Sequence, residues 1–170
     1  MSFRWSKKFD VFEFDKIFCP YNFGEYHWTL IVIYVQEKRI QYYDSFGDTD
    51  STRILNGALS YMRDEAVKRE VKFDVNEWSI HKCDRKQVPQ QNDGFNCGVY
   101  VSMYADFLSD NLPLKKLQFN PDTTMQFFRR KICNAILQTR DDADDAAADD
   151  DDGVSNDDDE AVVLLHDSKN

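Results

Sequence analysis

The segment spanning residues 90–108 constrains this chain more than any other. Residues 90–98 are polar and carry Gly94 and Gly98, and an apolar run over 99–108 follows at once. This pattern predicts a sharp turn into a helix, with Cys97 at the entry. Val99, Tyr100, Val101, Met103, Tyr104, Ala105, Phe107 and Leu108 lie nearly all round that helix, which predicts a buried central one. A thiol in the first turn faces unpaired N–H groups and the positive end of the helix dipole, an environment that favours thiolate. Free cysteines are commonly buried packing residues, so a reactive one needs a base nearby.

A base stands upstream. His27 opens a run of β-formers over 27–35, and a second run over 39–43 ends in Asp44, Ser45, Phe46 and Gly47. The short polar link over 36–38 joins the two as a hairpin. A tight hairpin sets the start of its first strand beside the end of its second. His27 and Asp44 then share one end of the sheet, where a carboxylate orients an imidazole. Cys97, His27 and Asp44 supply nucleophile, base and orienter.

Three pieces occur in order: His-Trp-x-Leu at 27–30, Tyr-x-Asp-Ser-x-Gly at 42–47, and Gln-x-x-Gly-x-x-Cys-Gly at 91–98. Together they resemble the Ulp-type (SUMO/sentrin-specific) cysteine protease family over roughly residues 4–140. The resemblance implies an α+β, papain-like fold, a small mixed sheet flanked by helices. It implies that Gln91 donates to the oxyanion alongside the Cys97 N–H. It implies that Trp28 lies flat over the substrate's Gly-Gly tail. The expected activity is a SUMO isopeptidase or peptidase that needs no metal or organic cofactor. The same scaffold also serves other modifiers such as NEDD8, or acyl transfer. A non-catalytic modifier-binding module is the alternative from another class. The family domain normally begins with further helices and a Trp-Leu-Asn/Asp motif ahead of the point matched by residues 4–8. The expectation is therefore an N-terminally truncated domain whose cleft lacks one wall.

Charge divides the chain at about residue 140. The net charge is −10, yet residues 141–170 hold 13 acids and one Lys while residues 1–140 hold 20 Lys/Arg and 18 Asp/Glu. The first part is near neutral, which gives no electrostatic case for nucleic acid. The second is read as an acidic disordered tail, because like charges at that density cannot bury a core. Within it, Val162, Val163, Leu164 and Leu165 stand in a row beside an acidic run and resemble a SUMO-interacting motif. Four cysteines without a Cys-x-x-Cys pair suggest a reducing, intracellular setting, nucleus or cytoplasm. No apolar run reaches the length of about 18 residues that a membrane helix needs, and a monomer is expected.

The remaining elements follow from pattern. Residues 16–21 predict a strand stopped by Pro20. Ile54, Leu55, Ala58, Leu59, Met62 and Ala66 predict a helix over 52–70 with its charges on the other face, and residues 78–81 a short strand. A last helix over 125–137 should turn Phe127, Phe128, Ile132, Ile136 and Leu137 inward and Arg129, Arg130 and Lys131 outward. His81 and Cys83 are two ligand types without a second pair, which is no metal site. Cys19 and Cys133 read as packing residues.

Overall fold

The computed structural model describes Ser6 and residues 9–47, 49–117 and 120–147. Four strands, β1 (Lys16–Phe23), β2 (His27–Tyr34), β3 (Arg39–Tyr43) and β4 (Ser79–Lys82), form one mixed sheet in that order. β1, β2 and β3 pair antiparallel, while β4 lies parallel to β3. The parallel pair requires a crossover, supplied by α1 (Thr52–Lys68). α2 (Cys97–Ser109) packs on β2 and reaches β1. The class is α+β, as the sequence indicates.

β2 explains why the sheet is covered on both faces. Its run Leu30-Ile31-Val32-Ile33-Tyr34 is buried at every position, which alternation with one wet face would not give. Ile31 and Ile33 join Ile17, Ile40, Tyr42, Leu55, Tyr61 and Met62 in one core cluster. The opposite face meets α2, where the rings of Tyr43 and Tyr104 lie 6.2 Å apart. The β1–β2 turn has φ of 61° at Gly24 and 65° at Glu25, the left-handed pair that matches strand twist in a hairpin.

Four expectations are corrected. Pro20 does not stop β1: it pairs with Leu30, and the strand continues to Phe23. β1 is an edge strand, and a proline there forfeits no ladder bond when its nitrogen faces outward. α2 is not buried all round. Cys97, Tyr100, Val101, Met103 and Tyr104 are buried, but Ser102 is exposed and residues 105–109 are only half-buried. Apolar residues outnumber the positions that one face can cover.

The last helix, α3 (Pro121–Ala147), belongs to a separate unit and is longer than expected at both ends. Among its described side chains only Met125 and Phe128 are buried, with Thr124 and Ile132 half-buried, a stripe at helical spacing. Phe127 and Leu137 lie off that stripe and Ile136 beyond its covered part, so all three are exposed. Arg129, Arg130 and Lys131 face water as expected, but Cys133 is exposed rather than packed. Beyond residue 140 the helix continues to Ala147, into the stretch read as tail. The rest of the acidic tail, with Val162, Val163, Leu164 and Leu165, lies outside the described residues.

The fourth correction concerns α1, whose inner face carries a charge. Besides Leu55, Met62 and Ala66, it buries Tyr61 and the fully enclosed Glu65. Lys68 and Arg69 hold both carboxylate oxygens. Arg69 also reaches Asp10 at 3.0 Å and the carbonyls of Ser6 and Phe9. The guanidinium fork thus fastens the N-terminal segment to α1. Burial would raise the Glu65 pKa, but its cationic partners and a hydrogen bond from Ser6 hold it below the usual value.

Candidate active site

Antiparallel pairing of β2 with β3 brings the first residue of one beside the residue after the other. There His27 Nε2 and Asp44 Oδ1 lie 2.8 Å apart, and both residues are buried. Nδ1 of the imidazole has no partner among the described residues and is the nitrogen left to exchange a proton.

Asp44 is fixed by more than the histidine. Thr49 Oγ1 donates to Oδ2 at 2.6 Å, and the Phe46 N–H donates to Oδ1 at 2.8 Å. The Tyr42 hydroxyl lies 2.7 Å from Thr49 Oγ1, extending the chain of bonds into the sheet. Burial alone would raise the Asp44 pKa. Hydrogen bonds from Thr49, His27 and the N–H groups of Phe46 and Gly47 outweigh it and hold the carboxyl below its ordinary value. Gly47 makes this turn feasible: its φ is 85°, and a Cβ there would stand 2.6 Å from the Arg85 side chain.

The nucleophile candidate arrives from the other side of the sheet. Asp93 turns the chain into α2 by accepting the N–H groups of Phe95 and Asn96 on Oδ1 and the Asn96 amide on Oδ2. Asn96 therefore spends its side chain on Asp93 instead of capping the helix. The Cys97 N–H, in the first turn, has no partner among the described residues and remains available to an anion. Against this helix start lies Trp28, whose ring is 3.8 Å from where a Gly98 Cβ would sit. That contact brings the head of α2 to the β2 residue next to His27. Cys97 Sγ makes no hydrogen bond to the imidazole among the described residues. Cys97 is buried, while Trp28 is 42% exposed beside it and Phe46 sets its ring against His27 with centroids 5.8 Å apart.

The loop before Cys97 is tied down residue by residue. Gln90 Nε2 donates to the Asp44 carbonyl at 3.2 Å, and Gln90 Oε1 accepts from Arg85. The Tyr100 hydroxyl donates to the Gln90 carbonyl at 3.1 Å, and Tyr104 does the same to Pro89. Gln91 bonds Ser45 through both its main chain and its side chain, and Nε2 donates to the Asp93 carbonyl at 2.8 Å. The other cysteines do not share this setting. Burial pushes the Cys19 thiol up to about 12 and raises that of Cys83, and Cys133 sits on α3.

Sequence reasoning missed Thr49, Tyr42 and Ser45. For Ser45 the adjacent Asp-Ser pair was a signal. Thr49 had none, because its partner is set by how the chain folds back after Gly47.

Comparison with known proteins identifies the family. The Ulp1 protease family, C-terminal catalytic domain, matches residues 2–142. This chain belongs to that family. Human "Sentrin-specific protease 2" is 34% identical over 135 residues, which are 79% of this chain and 22% of that protein. "Putative ubiquitin-like-specific protease 1B" of Arabidopsis thaliana is 34% identical over 144 residues, 82% of this chain and 40% of that one. Among solved structures, a SUMO protease Ulp1 with its catalytic cysteine oxidised to a sulfonic acid superposes with a TM-score of 0.67. It is 32% identical and covers 81% of this chain and 60% of its own. The chain thus spans well under half the length of these two relatives.

Proposed function

We propose that this chain is a cysteine peptidase that cleaves SUMO from target lysines or trims its C-terminus. The buried 2.8 Å His27–Asp44 pair, at the sheet end met by the head of α2, is the observation that carries this reading. It is supported by a Ulp1 family structure solved in complex with Smt3, the yeast ortholog of SUMO, which is 32% identical with a TM-score of 0.59 and covers 74% of this chain and 53% of its own.

In the proposed reaction His27 Nδ1 takes the proton from Cys97 Sγ. The thiolate attacks the carbonyl carbon of the modifier's terminal glycine. Negative charge moves onto the carbonyl oxygen, where the Cys97 N–H and Gln91 Nε2 receive it. As the tetrahedral intermediate collapses, the C–N bond breaks and His27 returns its proton to the lysine amine. Water, deprotonated by the same imidazole, then attacks the thioester and restores the thiol. Asp44 stays ionised throughout and stabilises the imidazolium. Trp28, flat and half-exposed beside Gly98, walls the channel for a tail without Cβ atoms.

The test is covalent capture. Vinyl sulfone derivatives of SUMO, NEDD8 and ubiquitin are incubated with the chain, and the adduct is mapped by mass spectrometry. A SUMO adduct at Cys97 is expected. An adduct with NEDD8 alone would reassign the modifier, and no adduct would favour a non-catalytic binding module.

The tail has a separate part in this reading. Val162, Val163, Leu164 and Leu165 would add a strand to a SUMO sheet edge, with neighbouring carboxylates on basic residues of the partner. Tethering would raise the local concentration of conjugate without altering the chemistry. Titrating a peptide of residues 157–169 into labelled SUMO tests this: shifts along one sheet edge are expected, and none at millimolar peptide would reject it.

A further inference from the structure

A glutamine side chain presents an acceptor at one end of its amide and two donors at the other. Only its surroundings decide which end faces where. At Gln91 that decision carries weight, because an oxyanion needs the donor end.

One neighbour makes the choice and another holds the result. The Asp93 carbonyl can only accept, and it lies 2.8 Å from Nε2. The Ser45 hydroxyl donates to Oε1 at 2.6 Å. Turning the amide over would set Oε1 against the carbonyl, two acceptors face to face. Ser45 grips the same residue again, since the Gln91 N–H donates to the Ser45 carbonyl at 2.9 Å. Ser45 is 1% exposed, so its hydroxyl is sheltered from solvent and needs a protein partner. With Oε1 held by Ser45 and one N–H spent on Asp93, the second N–H of Gln91 has no partner among the described residues.

We infer that Ser45 is a positioning residue for the oxyanion site: its hydroxyl, clamped on Gln91 Oε1, holds in place an amide that the Asp93 carbonyl has oriented, leaving the second N–H for the oxyanion. This rests on the reading of Gln91 as the oxyanion donor. Ser45 also follows Asp44 directly, and Gln90 bonds the Asp44 carbonyl. Residues 44–45 and 90–91 are therefore zipped together, and one dipeptide sets both the carboxylate behind the base and the donor that receives the oxyanion. The neighbour of the triad acid serves a second purpose that the triad alone does not need.

The experiment uses the full 170-residue chain, labelled with 15N, and a fluorogenic SUMO C-terminal reporter. In the parent, the Gln91 side-chain amide, assigned by its disappearance in Gln91→Ala, should give two well-separated proton signals, with the one donated to Asp93 protected from exchange. Ser45→Ala should bring them together and remove the protection. Its kcat should fall about tenfold with KM unchanged, the effect of losing one buried hydrogen bond. Added to Gln91→Ala, Ser45→Ala should cost no more than about twofold further, because the amide it positions is gone. Ser45→Cys, a weak donor of similar size, should fall between parent and Ser45→Ala, and it carries the test if Ser45→Ala does not fold. Rates are corrected for folded fraction by tryptophan fluorescence. If Gln91→Ala loses activity while Ser45→Ala does not, or if the two losses multiply, the inference is overturned. If Gln91→Ala loses nothing, the oxyanion reading fails instead. The amide signals then still decide whether the clamp exists.

Discussion

Two buried polar networks hold this domain, and they are built to opposite ends. Around Glu65 and Arg69 every strong group is matched: both carboxylate oxygens are held by cations, and the guanidinium is divided among Glu65, Asp10 and two main-chain carbonyls. Around Asp44 the carboxylate is just as fully bonded, but the groups it leads to are not. His27 Nδ1, the Cys97 N–H and one N–H of Gln91 lack partners among the described residues. A closed network fixes the chain, because any loss leaves a charge uncompensated in a dry place. An open network of the same atoms holds its shape and still presents unspent hydrogen-bonding capacity to a visitor. The difference lies in where satisfaction stops, not in how buried the charges are.

Substitutions in the open network should break activity and spare the fold. Cys97→Ala should abolish reporter cleavage and vinyl sulfone capture while moving Tm by no more than about 2 °C. Asp44→Asn should lower kcat by about 10⁴, since an amide no longer holds the imidazole in the right tautomer. A melt that collapses in Cys97→Ala would show that the thiol is structural after all.

One step smaller, Gln91→Ala should cost about 10²–10³ in kcat, the value of one oxyanion donor. Gln90→Ala loses only a tether to the Asp44 carbonyl and should cost about tenfold or less. Steady-state kinetics on both variants separates them, and a larger loss at Gln90 would place the donor one residue away.

The closed network should answer in the opposite sense. Glu65→Ala should destabilise the fold by about 3 kcal/mol, read by urea unfolding, because Arg69 loses its buried partner. The kcat of the fraction still folded should not change. A fall in kcat at constant folded fraction would show that the two networks communicate.

The smallest effect is an acid limb that both share. Asp44 and Glu65 have folded pKa values held below their ordinary ones. Each contributes stability that is fully present above its unfolded pKa, about 4. That contribution is lost as pH falls through the lower, folded value, because the unfolded chain binds protons first. Tm should therefore drop below about pH 4, and it should drop less steeply in Glu65→Gln, where one of the two titrations is gone.

How far each network could be read from sequence follows from what encodes it. The hairpin of β2 and β3 is local, so the pairing of His27 with Asp44 was visible from strand-forming runs and a short link. The entry of Cys97 into α2 was visible from a polar, glycine-bearing turn before an apolar run. Pro20 misled, because whether a proline ends a strand depends on whether the strand lies at an edge. Phe127, Ile136 and Leu137 misled, because composition does not say how much of a helix is covered. Glu65 was unreadable: a glutamate on a helix looks solvated until tertiary packing encloses it. Thr49 was unreadable as a partner of Asp44, since a hydroxyl carries no periodic signature, and Ser45 was signalled only by its place beside Asp44.

The parallel pairing of β3 with β4 also fixes the order in which this chain can become competent. Hairpins close in about 1–10 µs, whereas a parallel pair waits for the intervening helix and a longer loop to be brought together. Hydrogen-exchange pulse labelling should find amides of β2 and β3 protected before those of α2. On a chain emerging from the ribosome, imidazole and carboxylate can meet while the sulfur is still to be added. A half-made molecule would then hold the proposed base with nothing to deprotonate. In the proposed reaction, reactivity would wait for α2, which follows β4 in the chain, so the sulfur would gain its base at the same moment that it gains its shelter.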